Sequence, residues 1–382
     1  MQPEHFRSLV GVRGPFVSVY IDDSRDSADA EAQLDAKWRD VRRHLAEQGV
    51  DEDIVVPLER AVLHSEPAVG RRGRGVIAAG DQVLVNEHLV SPPSATVLRV
   101  SDYPYVLPLV DLGMQRRPTY VFAAVDHAGA DITLHRGDIA RAETVDGGGY
   151  PVNKPVTAGW SGYGDFQHST EEAIRMNERA VVDRLTGLVD ETDPEVVFVC
   201  GEVRGRSDVV SAMPGRVAAR VCQLHAGARG ARTGEDEVGD LIDAEFERRR
   251  GAEIAAIAER FQTEIGRRSG LAAEGLAAVC AVLRAGDVDT LIVADLGDAT
   301  LVTGEELTTV APDADALSEL GEAPVRVARA DEALPFAGIT VGASLIRVSD
   351  GMAPADGIGA LLRYAAAGVV LNDGAPSRSV AP

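Results

Sequence analysis

The densest group of side chains able to do chemistry lies at residues 159–168, GWSGYGDFQH. Trp160, Tyr163 and Phe166 offer flat faces on which unpaired nucleobases can stack, each contact contributing about 1–3 kcal/mol. Gln167 and His168 could instead place a water molecule for hydrolysis, and of the two only His168 titrates near neutral pH. The competing reading is that the rings fold back and anchor their own segment. A second group is GRRGRG at 70–75, where Arg71, Arg72 and Arg74 are spaced by glycines. Guanidinium forks match phosphate oxygens, and glycine lets the backbone approach them as well. Here the alternative is a solvated entry to a hairpin. Arg42-Arg43 and Arg116-Arg117 are weaker versions of the same signal.

Other chemistries find little support. The chain has no G-x-x-x-x-G-K-[ST] loop for a nucleotide and no G-x-S-x-G elbow for a hydrolytic serine. Gly147–Gly149 runs into Tyr150-Pro151 rather than opening a helix, so it is not a dinucleotide fingerprint. Eight histidines are scattered without ligand spacing, and no metal site is expected. Asp126, Asp131 and Asp138 could in principle converge on two metal ions, but turns favour aspartate in any case. Neither a cofactor nor a small-molecule substrate is expected.

The overall charge argues against nucleic acid, because the 382 residues carry a net charge of −22. The distribution softens that objection. Residues 1–117 hold 14 basic and 18 acidic side chains, and 118–232 hold 12 and 16, whereas 233–382 hold 12 and 26. The last segment therefore fits a protein partner, and the first two can still present basic faces. Acidic runs such as Gly234–Asp240 are ordinarily solvated helix surface. Arginine outnumbers lysine 36 to two, a skew that genomic base composition explains as well as phosphate binding does. Three distant cysteines (Cys200, Cys222 and Cys280) form no C-x-x-C pair and read as buried thiols of a reducing compartment, the cytoplasm. No apolar run reaches the roughly 18 residues of a membrane span, so no membrane partner is expected.

The elements that must position these groups read as alternating strands and helices, an α/β pattern. Gly14–Asp23 alternates as a strand, Asp26–Glu47 and Asp53–His64 read as helices, and Val69–Val90 as two strands around a Gly80-Asp81 turn. Strands follow at Thr119–Asp126 and Ala130–Gly137, with a third ending near Val145. Residues 146–169 hold six glycines and two prolines and read as a long loop, closed by a Ser169/Glu172 capping box. Beyond it come a helix, a strand at Glu195–Gly201, a helix near Ser207–Met213 and a strand at Arg216–Leu224. A long helix at Glu235–Ile265, weakened at Gly251, reads as a connector. It leads to a helix at Leu271–Gly286 and strands at Asp289–Asp295, Leu301–Thr303 and Ile339–Val341, with a loose tail after about Leu371. Three domains are expected, at 1–117, 118–232 and 233–382, the first boundary falling at Arg116-Arg117-Pro118.

Two motifs in the last segment carry a resemblance. AGDVDTLIV (Ala285–Val293) and DGIGALLRY (Asp356–Tyr364) resemble the C-terminal domain of the archaeo-eukaryotic release factor and Pelota family, in which the second motif is expected to be a closing helix. The opening GPFVSVYIDD and the three-part layout are similar to the bacterial branch of that family, and within it to the mycobacterial relatives of the hibernation factor Balon. The resemblance runs from about Gly14 to Tyr364. It implies a ribosome-binding, three-domain α/β factor, joined by a long connector helix, that enters the A site. The first domain would reach the decoding centre, with Arg71, Arg72 and Arg74 on rRNA. The middle domain would turn residues 159–168 toward the peptidyl-transferase centre. The last domain would meet a translational GTPase, elongation factor Tu. Family members that release peptide carry Gly-Gly-Gln and Asn-Ile-Lys-Ser, and neither occurs here. The expectation is therefore arrest and protection of ribosomes under stress without enzymatic release. The alternative is a peptidyl-tRNA hydrolase or rescue factor that uses 159–168.

Overall fold

The computed structural model describes residues 1, 3–67, 70–111, 113, 118–137, 139–146, 163–225 and 235–365, with the side chains of 163–171, 235–236 and 350 outside that description. The N-terminal segment contains β1 (Phe16–Asp22), α1 (Ala30–Glu47), α2 (Glu52–Leu63), β2 (Gly73–Ala79), β3 (Gln82–Leu89), β4 (Val97–Ser101) and α3 (Leu107–Asp111). The strands form an antiparallel sheet in the order β3-β2-β1-β4. Period-two alternation decides which side each residue takes. Val17, Val19, Ile21, Val76 and Ala78 bury under α1 and α2 with Trp38, Leu45 and Leu58. Phe16, Tyr20 and Ile77 face the other way, into a second core.

The middle segment contains β5 (Tyr120–Val125), β6 (Gly129–Arg136), β7 (Ile139–Asp146), α4 (Tyr163–Thr192), β8 (Val196–Gly201), α5 (Val203–Ala212), α6 (Gly215–Ala218) and β9 (Val221–Gln223). Its sheet runs β7-β6-β5-β8-β9, with β5, β8 and β9 parallel and the β5-β6-β7 side antiparallel. Both faces of β8 are covered, which is why VVFVC is an unbroken apolar run. Val197 and Val199 pack with Val181, Leu185 and Val209 on one side. Val196 and Phe198 pack with Ile242, Val238 and Phe246 of α7 (Glu235–Arg267) on the other.

The C-terminal segment adds β10 (Ala272–Glu274), α8 (Leu276–Ala285), β11 (Val288–Val293), β12 (Thr300–Thr303), β13 (Val310–Ala311), α9 (Ala314–Glu319), β14 (Arg326–Arg329), α10 (Ala330–Thr340), β15 (Ser344–Arg347) and β16 (Ile358–Leu362). One sheet runs β10-β16-β11-β15 and a smaller one β13-β12-β14. The second half of α7 lays Ala258 and Phe261 on Ile292, Ile346 and Leu361. Two compact units result, residues 1–115 together with 252–382, and residues 116–251. The first and last segments thus share one unit. Phe336 of α10 meets Phe16 and Tyr103 at ring-centroid distances of 6.2 and 5.8 Å, and the Tyr103 hydroxyl donates to the Leu307 carbonyl at 2.9 Å.

Mixed α/β architecture is as expected, but several elements differ. The closing motif 356–364 is not a helix: Ile358–Leu362 is strand β16, with all five residues buried between β10 and β11. Residues 339–341 end helix α10 rather than forming a strand. Residues 271–286 split into β10 and α8 at Gly275, whose φ of 85° breaks the helix. The expected strand 216–224 is a helical turn, α6, followed by β9 alone. Helix α4 begins at Tyr163, so Ser169 and Glu172 lie inside it and do not cap its start. Arg116, Arg117 and the tail after 365 lie outside the described residues.

Candidate functional site

The arginine turn is built by the edge of the first sheet. Gly70 takes φ 75°, and its carbonyl accepts from the Arg25 amide at 2.8 Å, fixing the turn into β2. Gly73 and Gly75 are packing glycines. A Cβ on Gly73 would meet Pro93 Cδ at 2.9 Å, and one on Gly75 would meet Leu109 Cδ2 at 2.8 Å and Tyr20 Cε1 at 2.9 Å. The glycine spacing that hinted at phosphate approach is therefore a requirement of the fold.

Arg74 is corrected from a candidate rRNA contact to a core residue. Its side chain is buried because register places it opposite Ile21 and His88, on the face covered by α1 and α2. Its Nε donates to Asp23 Oδ2 at 2.9 Å, Nη1 to Asn86 Oδ1 at 3.0 Å and Nη2 to the Glu66 carbonyl at 2.6 Å. Every face of the guanidinium is engaged. Arg72 is half-buried, and Nη1 donates to the Val90 carbonyl at 2.7 Å. Only Arg71 is exposed. Arg42 bridges Glu59 and Glu52 across α1 and α2, while Arg43 pairs with Asp40 at 3.2 Å and Glu47 at 3.9 Å.

Around this turn lies a charged cluster that motif reading missed. Arg25 Nη2 reaches Asp23 Oδ1 at 3.3 Å, and His88 Nδ1 sits 3.9 Å from Asp23 Oδ2. Burial, then the nearby Arg74 charge, hold the His88 imidazole below its ordinary pKa. Burial opposes ionisation of Asp22, yet Lys37 at 2.8 Å and the Ser24 hydroxyl at 2.6 Å outweigh it and lower the carboxyl. The available signal was Asp22-Asp23 directly after an apolar strand, a place where a carboxylate needs a buried partner.

In the middle unit, residues 163–168 are helical in backbone, and the loop expected there is corrected for that stretch. Gln167 therefore stands inside a helix rather than at the tip of a loop. Trp160 lies outside the described residues, as do the side chains of Tyr163, Phe166, Gln167 and His168. The hairpin aspartates do not converge. Asp126 Oδ1 accepts from the amides of Ala128 at 2.7 Å and Gly129 at 2.9 Å, while Asp131 Oδ1 accepts from the Thr144 hydroxyl at 3.0 Å. Asp138 lies outside the described residues. Among the described residues no cluster of three or more His, Cys, Asp or Glu could hold a metal ion, and no helix is long and apolar enough to cross a membrane. Burial pushes the Cys200 thiol up to about 11 and that of Cys280 to about 12, so neither is a nucleophile near neutral pH.

Residues 119–267 match the family model for the bacterial archaeo-eukaryotic release factor family 2. The chain is 64% identical over 366 residues to the uncharacterized protein Rv2629 of Mycobacterium tuberculosis, covering 96% of this chain and 98% of that one. Solved structures that match the chain include Pelota of Archaeoglobus fulgidus, 15% identical with a TM-score of 0.39 over 77% of this chain and 79% of that one. A model of ribosome-bound archaeal Pelota and ABCE1 matches with 15% identity and a TM-score of 0.39, over 95% and 94% of the respective chains. Superpositions this loose carry no residue-by-residue correspondence.

Proposed function

Because the chain belongs to the bacterial archaeo-eukaryotic release factor family 2, we propose that it is a ribosome-binding factor that fills the A site of idle or stalled ribosomes and protects them. Membership in that family is the observation that carries this reading. Occupation without peptide release is favoured by two features of the chain itself. Release needs a water held against the ester with donors where the oxyanion develops. No Gly-Gly-Gln occurs in the sequence, and Gln167, the residue that invites comparison, follows Asp165-Phe166 within helix α4. A helical backbone lacks the freedom that paired glycines give a loop. The activity proposed is therefore hibernation-like arrest in the cytoplasm, not catalysis.

Within this reading Arg71, with the outer part of Arg72, is the cationic contact to rRNA, and Arg74 supports the turn from beneath. The acidic last segment favours a protein partner, and elongation factor Tu is the partner proposed. The test is co-sedimentation with 70S ribosomes across a salt series, with and without elongation factor Tu. Pelleting that weakens as salt rises is expected, since phosphate contacts release counterions. Failure to pellet at low salt under both conditions would sink the proposal. Single-turnover release of labelled peptide from P-site peptidyl-tRNA, compared with Gln167→Ala and His168→Ala, separates binder from hydrolase. Rapid release abolished by either substitution would favour the hydrolase.

A further inference from the structure

From Ala285 to Val325 the chain carries ten acidic side chains and no lysine or arginine. This stretch holds β12, β13 and α9 of the small sheet, and it ends at β14. Strand β14 is an edge: among the described residues it pairs only with β12. Val327 stands opposite Val302, so the two share one face, yet Val327 is 72% exposed. Val325 and Leu320, just upstream, are 52% and 49% exposed.

Natural sheets commonly guard such an edge with outward charges, but the two arginines of β14 are already engaged. Arg326 pairs with Asp102 at 3.3 Å and donates to the Gly304 carbonyl at 3.2 Å. Arg329 grips both oxygens of Asp331, at 2.9 and 3.0 Å, and reaches Asp298 at 3.2 Å. What remains outward is a valine-lined strand edge in an acidic surround that includes exposed Glu305, Glu306, Glu319 and Glu322.

We propose that β14 receives an extended basic segment of a partner protein as a further strand of the small sheet. Main-chain hydrogen bonds would form along the open edge, alternate apolar side chains would lie on Val325 and Val327, and cations would face the carboxylates. The acidity selects this occupant. A second copy would bring the same carboxylate-rich surround, its edge arginines already engaged, and RNA would bring phosphates, so both are repelled.

The inference does not rest on ribosome binding, and its test uses the isolated full chain. The probe is a dye-labelled peptide of alternating Lys and Val, followed by fluorescence anisotropy. Controls are an alternating Glu/Val peptide and a block peptide of the same Lys/Val composition. Binding of the alternating Lys/Val peptide is expected, with affinity reduced about tenfold or more by Val325→Ser with Val327→Ser. Both valines are exposed, so the variant keeps the fold, which circular dichroism checks. No binding, undiminished binding to the double variant, or equal binding of the block peptide would overturn strand addition. Self-association abolished by the same double variant would overturn the choice of occupant.

Discussion

Removing the Arg74 guanidinium should destabilise its unit by about 3–5 kcal/mol, the range for deleting one partner of a buried ion pair. The magnitude follows from what Arg74→Ala leaves behind. Among the described residues Asp23, whose side chain has no exposed surface, keeps only Arg25 at 3.3 Å and His88 at 3.9 Å. Asn86 Oδ1 and the Glu66 carbonyl also lose their donor. Arg25 is partly exposed and can swing closer, which favours the lower end of the range. Arg71→Ala, on the exposed side of the same turn, should stay within about 0.5 kcal/mol. The assay is denaturant unfolding followed by Trp38 fluorescence in a Trp160→Phe background, since the chain has two tryptophans. Trp38 is buried between α1 and the first sheet and so reports on its own unit. Asp23→Ala combined with Arg74→Ala should cost less than the sum of the single changes. A loss below about 1 kcal/mol for Arg74→Ala, or strict additivity in the double variant, would refute the buried-pair argument.

Other consequences concern protonation and accessibility. The folded His88 pKa lies below its unfolded value near 6.5, so the unfolded state binds more protons and stability falls as pH drops through about 6.5. Unfolding measured from pH 7 to 5.5 should show a shallower slope for His88→Gln than for wild type. Glu332 is buried and its carboxyl is raised, first by desolvation and then by Asp331, with Ser101 opposing. Its contribution is thus fully present below about pH 4.5 and is lost as pH rises through the raised pKa. Glu332→Gln should therefore stabilise the protein at pH 7, with a gain that shrinks in acid, as equilibrium unfolding at both pH values would read. Native protein treated with a thiol reagent at pH 8 should leave Cys200 and Cys280 unlabelled until denaturant is added, as peptide mass mapping would show.

Local periodicity made much of the architecture readable. The alternation of Phe16–Asp22, the stripe of Leu34, Trp38 and Val41, and the Gly80-Asp81 turn each lie within a few residues, and all took the form expected. Helix α10 was illegible for the opposite reason: residues 330–339 are buried on every side, so no polar face marks the helical period. Strand β16 failed likewise, because a short apolar run reads equally as buried strand or helix. At the candidate site the obstacle was distance in sequence. Whether Arg74 faces solvent depends on Asp23 and on the Glu66 carbonyl beyond α2, partners that no spacing rule within GRRGRG contains.

The sharing of one unit by the two ends of the chain sets an order of events during synthesis. As the N-terminal segment leaves the ribosome, α1 and α2 can at once cover Val17, Val19 and Ile21. The opposite face of that sheet, with Phe16, Tyr20 and Ile77, packs in the finished protein within a core that includes Phe336 and Ile358. Residues 116–251 must be made first, which at typical elongation rates takes on the order of ten seconds. During that interval the inserted unit can close its own sheet while the earlier one stands half bare. A nascent chain stalled before residue 330 would present that apolar face to chaperones, and one stalled within the first segment would do so without the inserted unit.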